Sequence, residues 1–207
     1  MKKPAEIIKL LKKLYPKASV ELEYSNPIQL LAAVILSAQC TDVRVNKVTG
    51  ELFKKYRTVK DFASVPQFEL ENDIRSTGFY RMKALAIRES ARMIIERFGG
   101  RVPGTMDELL QLRGVARKTA NVVLGSVFKT AAGIVVDTHV KRLSYRMGLT
   151  DQKDPVKIEL DLMKAVPHKE WIWFGHAMVW HGRRVCNARS PNCPGCALNK
   201  ICPKKGI

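Results

Sequence analysis

The sequence predicts an all-α protein, and three observations carry that prediction. Apolar residues recur at helical spacing along most of the chain, side chains that cap helices stand just ahead of those stretches, and nothing alternates apolar with polar as a strand does. The single β-branched run, Ile134-Val135-Val136, is too short for a strand and runs straight into Asp137. With 207 residues and 46% hydrophobic composition, the chain can bury a core as one large domain or two small ones.

The elements follow in order. Ile7, Leu10, Leu11 and Leu14 repeat at the spacing of one helix face, while Glu6, Lys9, Lys12 and Lys13 interrupt them. That is an amphipathic helix and not a signal peptide. Asn26-Pro27 reads as a cap followed by proline at the first helical position, opening a buried helix through Leu36. Thr41-Asp42 starts another, with Val45, Val48, Leu52 and Phe53 on it. Residues 81–98 form a long amphipathic helix stopped by Gly99-Gly100. Thr105-Met106-Asp107-Glu108 reads as a capping box opening a short helix through Leu112. A further helix starts near Arg117, and Val140, Leu143 and Met147 predict one after Asp137-Thr138.

Charge narrows the class of partner. The formal net charge is +17, and an excess of this size disfavours a compact state unless a polyanion offsets it. No carboxylate side chain follows Glu170, whereas Arg183, Arg184, Arg189, Lys200, Lys204 and Lys205 do. Nucleic acid is the partner this pattern predicts. The longest apolar run, Leu30 to Leu36, falls far short of the roughly 18 residues a membrane span needs, so no membrane is expected. The expected location is cytoplasmic, on the nucleoid.

Cys186, Cys193, Cys196 and Cys202 form a C-x6-C-x2-C-x5-C array. Thiols so crowded in an intracellular chain point to a metal centre, since disulfides are rare there. The spacing matches neither two C-x2-C zinc knuckles nor the bacterial ferredoxin run. A compact iron–sulfur cubane and a structural zinc site both suit it. Cys40 lies outside the array and is expected as a buried thiol.

Between two predicted helices lies Leu112-Arg113-Gly114-Val115-Ala116-Arg117-Lys118-Thr119, a helix, a glycine-containing turn and a second helix. The turn amides and the second helix's N-terminus offer free N–H donors to an anion such as a DNA phosphate, which positions a protein without reading sequence. Taken singly, a plain structural hairpin, a solvated Lys118 and an N-capping Asp137 are the ordinary readings.

Together, in this order, these segments resemble the endonuclease III family of helix-hairpin-helix, iron–sulfur DNA glycosylases. Four segments carry the resemblance: the cysteine array, L-x-G-V-x-R-K-T-A-N-V-V with V-D-T-H, Leu36-Ser37-Ala38-Gln39-Cys40-Thr41-Asp42, and Ser76-Thr77-Gly78-Phe79-Tyr80. The resemblance implies two helical domains, residues 19–132 and residues 1–18 plus 133–207, the second with a C-terminal [4Fe-4S] cluster loop ligated by Cys186, Cys193, Cys196 and Cys202. It implies a monomeric bifunctional glycosylase and AP lyase acting on double-stranded DNA that contains oxidised pyrimidines or abasic sites.

In that reading Lys118 attacks C1′ to form a Schiff base, and ionised Asp137 stabilises the positive charge developing on the sugar. The attacking amine must be neutral, which burial against DNA and nearby Arg117 favour. Gln39 would fill the hole left by the extruded base, and Phe79, where the family often has leucine, would wedge into the opposite strand. Arg113, Gly114, Val115, Ala116 and Arg117 would hold one phosphate, and Arg189 another. The hairpin departs from the family's common L-P-G-V-G-R-K: Arg113 replaces the proline and Ala116 the second glycine. His139 is expected to cap or pack, and Trp171, Trp173 and Trp180 to pack around the cluster domain. The competing readings are a monofunctional mismatch glycosylase for adenine or thymine, against which Lys118 counts, and a non-catalytic iron–sulfur DNA-binding protein.

Overall fold

The computed structural model describes residues 2–207, and among them there is helix but no strand. In chain order the α-helices are α1 (Lys2–Leu14), α2 (Pro27–Leu36), α3 (Asp42–Lys55), α4 (Val59–Ser64), α5 (Gln67–Asp73) and α6 (Tyr80–Phe98). They continue with α7 (Met106–Leu109), α8 (Arg117–Val127), α9 (Thr138–Arg146), α10 (Pro155–Ala165) and α11 (Trp171–Arg184). Short 3-10 turns occupy Arg75–Thr77 and His168–Glu170. The chain divides into a continuous unit, Glu21–Phe128, and a discontinuous one that joins the segment ending at Val20 to Lys129–Ile207.

In the continuous unit, local capping chemistry sets the helix starts. Asn26 accepts the Gln29 N–H at 3.1 Å, and Thr41 accepts that of Arg44 at 3.3 Å. At α4 the box is reciprocal: Thr58 accepts the Asp61 N–H, and the Asp61 carboxylate accepts the N–H groups of Thr58 and Arg57. Those donated bonds, that of Thr58 foremost, hold the Asp61 carboxyl below the usual carboxylate range.

The box expected at Thr105 is only half made. Thr105 accepts the Glu108 N–H, but the Glu108 carboxylate returns to the Thr105 hydroxyl instead of the backbone. The expected helix through Leu112 also stops early, at Leu109. The N–H groups of Gln111 and Leu112 bond to the carbonyls of Glu108 and Leu109, so the chain tightens into i−3 turns as it enters the hairpin.

The discontinuous unit is built on Ile7 and Leu11 of α1, which pack with Val140 and Leu143 of α9, Leu162 of α10, and Phe174 and Met178 of α11. Complete burial of each such side chain contributes roughly 1.5–3 kcal/mol. Two tryptophans of α11 fasten the N-terminal segment: Trp173 Nε1 donates to the Tyr15 carbonyl at 2.8 Å and Trp180 Nε1 to that of Ser19 at 3.1 Å. No helix among the described residues is long and apolar enough to cross a membrane.

Candidate active site and cysteine centre

The α6 helix organises the continuous unit's candidate site. Its buried face runs through Lys83, Ala86, Ile87 and Ser90, with Phe79 at its N-cap. At ~1.5 Å rise per residue, Phe79 and Ser90 stand ~16 Å apart along the axis.

Ala86 and Ser90 support the hairpin turn. Ser90 Oγ donates to the Arg113 carbonyl at 2.9 Å. Gly114 sits at φ +76°, and a Cβ there would come within 2.9 Å of the Ala86 Cβ. Only glycine meets both demands. Val115 is buried and its N–H bonds back to the Leu112 carbonyl at 3.2 Å. Ala116 is the N-cap of α8 at φ −97°, ordinary backbone for any residue, so losing the family's second glycine costs nothing here. It offers no capping side chain, which leaves the first N–H groups of α8 without a side-chain acceptor from the cap residue. Arg113 is exposed, Arg117 half-buried, and Lys118 exposed one residue further on.

We expect Gly114→Ala to destabilise the fold by about 1–3 kcal/mol from backbone strain alone and to weaken duplex DNA binding. Ala116→Gly should leave both nearly unchanged. Urea denaturation and salt-titrated binding of each variant check the pair.

Gln39 and Phe79 share an unusual feature. Both adopt left-handed backbone, φ +54° and +48°, which is a real outlier for an aromatic residue. Both are exposed, Phe79 to 66%, so Phe79 is not a core residue. Cys40, expected buried, is half-buried and unpaired with any other cysteine.

Asp137 belongs to the other unit, where it is the N-cap of α9. Its Oδ1 accepts the Val140 N–H at 2.8 Å, which fixes the carboxylate's direction. Its ordinary role as a cap is therefore real, and it leaves the second oxygen available. His139 packs where α11 passes close by: a Cβ on Gly182 would meet His139 Nδ1 at 2.8 Å. Burial pushes the His139 imidazole below its usual range, so it stays neutral at neutral pH.

Cys186, Cys193, Cys196 and Cys202 line one cavity of about 350 Å³, counted to its open mouth, and all four thiols are free. Three nitrogens address two of these sulfurs: Arg146 Nη1 donates to Cys186 Sγ at 3.4 Å and the Leu198 N–H to Cys196 Sγ at 3.4 Å, while His181 Nε2 lies 3.5 Å from Cys196 Sγ. His181 is 1% exposed, with its pKa pushed down to about 4 by burial. The Tyr15 hydroxyl lies 3.1 Å from its Nδ1, and the tautomer in which that hydroxyl donates carries the ring proton on Nε2, facing the sulfur. No group of three His, Cys, Asp or Glu side chains among the described residues is arranged to hold a single metal ion. Arg189 stands exposed on the loop between Cys186 and Cys193.

Sequence reasoning missed four side chains. Lys83 is 5% exposed, and its position on the apolar face of α6, in register with Ile87, Ser90 and Ile94, is the signal that could have found it. Arg142 and Arg146, one turn apart on α9, donate to the carbonyls of Gly182 and Cys186, and of Asn187 and Ala188, respectively. His181 completes the set; nothing in the sequence separates it or the two arginines from their many neighbours in kind.

Residues 32–168 match the model of the HhH-GPD superfamily of base excision DNA repair proteins. The endonuclease III of Synechocystis sp. is 54% identical over 198 residues, 96% of this chain and 90% of that one. That of Bacillus subtilis is 48% identical over 201 residues, 94% and 91%. A solved structure of a trapped covalent intermediate of endonuclease III with DNA superposes with a TM-score of 0.91 at 47% identity, over 97% of this chain and 96% of that one. Likeness of this extent spans the hairpin, the Asp137 cap and the cysteine array together, and the chain belongs to the endonuclease III family.

Proposed function

We propose that the protein is a bifunctional DNA glycosylase and AP lyase of base excision repair that removes oxidised pyrimidines from duplex DNA, with Lys118 as its nucleophile. Family membership supports the enzyme class. The observation that carries the residue assignment is the state of the lysines: Lys118 is exposed at the start of α8 beside the turn amides, whereas buried Lys83 has its ammonium engaged by two carbonyls.

The damaged nucleotide first leaves the stack, at a cost of a few kcal/mol that is smallest for a poorly stacked lesion. Gln39 and Phe79, both on exposed left-handed turns, suit the vacated hole and the opposite strand. The phosphate flanking the lesion settles on the hairpin turn and the first N–H groups of α8, with Arg113 and Arg117 beside it. Neutral Lys118 Nζ then attacks C1′ as the glycosidic bond breaks towards the base; the departing base takes a proton from solvent, the attached nitrogen gives one up, and the C1′–O4′ bond opens with O4′ protonated, leaving an imine. Asp137, held by the Val140 N–H, stabilises the positive charge that develops on the sugar. The resulting imine acidifies the C2′ proton, whose removal expels the 3′ phosphate by β-elimination.

Four free cysteines lining one cavity support a [4Fe-4S] cluster as the group held there. A single zinc with bonds of about 2.3 Å needs its sulfurs about 3.8 Å apart, whereas a cubane gives each cysteine its own iron and spreads them wider. N–H donors aimed at thiolate sulfur are the usual outer shell of such a centre. Cys186, Cys193, Cys196 and Cys202 would hold the cluster, which would cross-link and stiffen the loop presenting Arg189.

Borohydride trapping on duplexes carrying thymine glycol or an abasic site tests the proposal. A covalent adduct on both is expected. Trapping on the abasic duplex alone removes oxidised pyrimidines as the substrate class, and no adduct on either overturns the bifunctional reading.

A further inference from the structure

Lys83 is a buried cation whose ammonium points at no carboxylate among the described residues. Its Nζ donates to the Leu36 carbonyl at 2.8 Å and to the Thr77 carbonyl at 2.8 Å, both bonds within the interior. Desolvation pushes its pKa below the usual lysine value, with the Cys40 thiol acting weakly the other way. Burying a charge in this way costs stability that a methionine on the same helix face would not, so packing alone does not account for a lysine here.

The two acceptors explain it better. Leu36 is the last residue of α2, whose final carbonyls have no helical partner, and the chain turns there through Ser37 and Ala38 to Gln39. Thr77 closes the 3-10 turn that leads through Gly78 to Phe79. One ammonium thus ties the roots of two turns that lie 47 and 6 residues from it in sequence. Each turn carries an exposed side chain on left-handed backbone, a conformation that persists only where its surroundings enforce it.

We infer that Lys83 is a positioning residue that locks the Gln39 and Phe79 turns into one preformed pair, so that filling the hole and wedging the opposite strand occur as a single event. The inference rests on the proposal that these two side chains enter the duplex.

The test compares Lys83→Met with wild type on an abasic site in a duplex and on the same site in a single strand, where there is no stack to fill and no opposite strand to wedge. Turnover on the duplex should fall by about 10–100-fold, as for a displaced positioning group, while turnover on the single strand stays within about threefold. In a Gln39→Ala/Phe79→Ala background, Lys83→Met should add less than about a twofold further loss. Equal losses on both substrates, undiminished duplex activity, or full additivity would each overturn the tie. Wild type inactive on both substrates defeats the functional reading instead. Should Lys83→Met not fold, Lys83→Gln, a shorter neutral donor, is read in the same comparison.

Discussion

Lys118→Gln should lose strand cleavage at an abasic site by about 10³-fold or more, as expected for removal of a nucleophile, while binding duplex DNA within about threefold of wild type. Glutamine keeps much of the length and polarity of the side chain but cannot form an imine. Binding should survive because the proposed phosphate contacts are the turn amides, Arg113 and Arg117, and the geometry of that turn is set by Gly114 against Ala86 and by Ser90 on the Arg113 carbonyl. The measurement is single-turnover cleavage beside salt-titrated binding. Cleavage near the wild-type rate would move the nucleophile elsewhere, and a parallel loss of affinity would make Lys118 a phosphate contact instead.

Arg146→Ala carries the second large effect, on stability. The guanidinium is 7% exposed and donates to the carbonyls of Asn187 at 2.7 Å and Ala188 at 2.8 Å, besides its approach to Cys186 Sγ. Two charge-assisted bonds of roughly 1.5–3 kcal/mol each, and the acceptors left bare behind them, give an expected loss of about 3–5 kcal/mol. For a chain of this size that is a fall in melting temperature of roughly 6–20 °C. Iron bound per chain should drop with it, because the backbone that delivers Cys186 loses its anchor. Arg146→Lys should recover only part of either, since an ammonium lacks the planar fork that reaches two carbonyls at once. A wild-type melting curve with full iron content for Arg146→Ala would show that the loop holds itself.

The parts of the fold that sequence reveals are those set within a few residues. Asn26-Pro27 and Thr41-Asp42 announce α2 and α3 because each cap bonds to an N–H three residues on. Asp154-Pro155 gives the same signal for α10, with Asp154 accepting the Lys157 N–H at 3.0 Å, yet that helix is absent from the sequence-based expectations. Helix α11 lacks such a signal: its N-cap, Glu170, makes no side-chain cap, and Trp171, Trp173 and Trp180 spread apolar surface around its girth. For the site, Lys118 and Asp137 become legible only as part of a motif, since alone one is a surface lysine and the other a cap. The partners of Lys83 and Arg146 are harder still, because both side chains bond to backbone carbonyls, most of them more than 40 residues away, and a carbonyl has no residue type to recognise.

The discontinuous unit also imposes an order on synthesis. Helix α1 leaves the ribosome before α11, whose side chains that cover Ile7 and Leu11 emerge about 160 residues later, a delay of roughly 10–30 s at ordinary elongation rates. Once Phe128 has emerged, Glu21–Phe128 can close on its own contiguous core, while the apolar stripe of α1 stays in water until α11 covers it and Trp173 and Trp180 fasten the segment that follows α1.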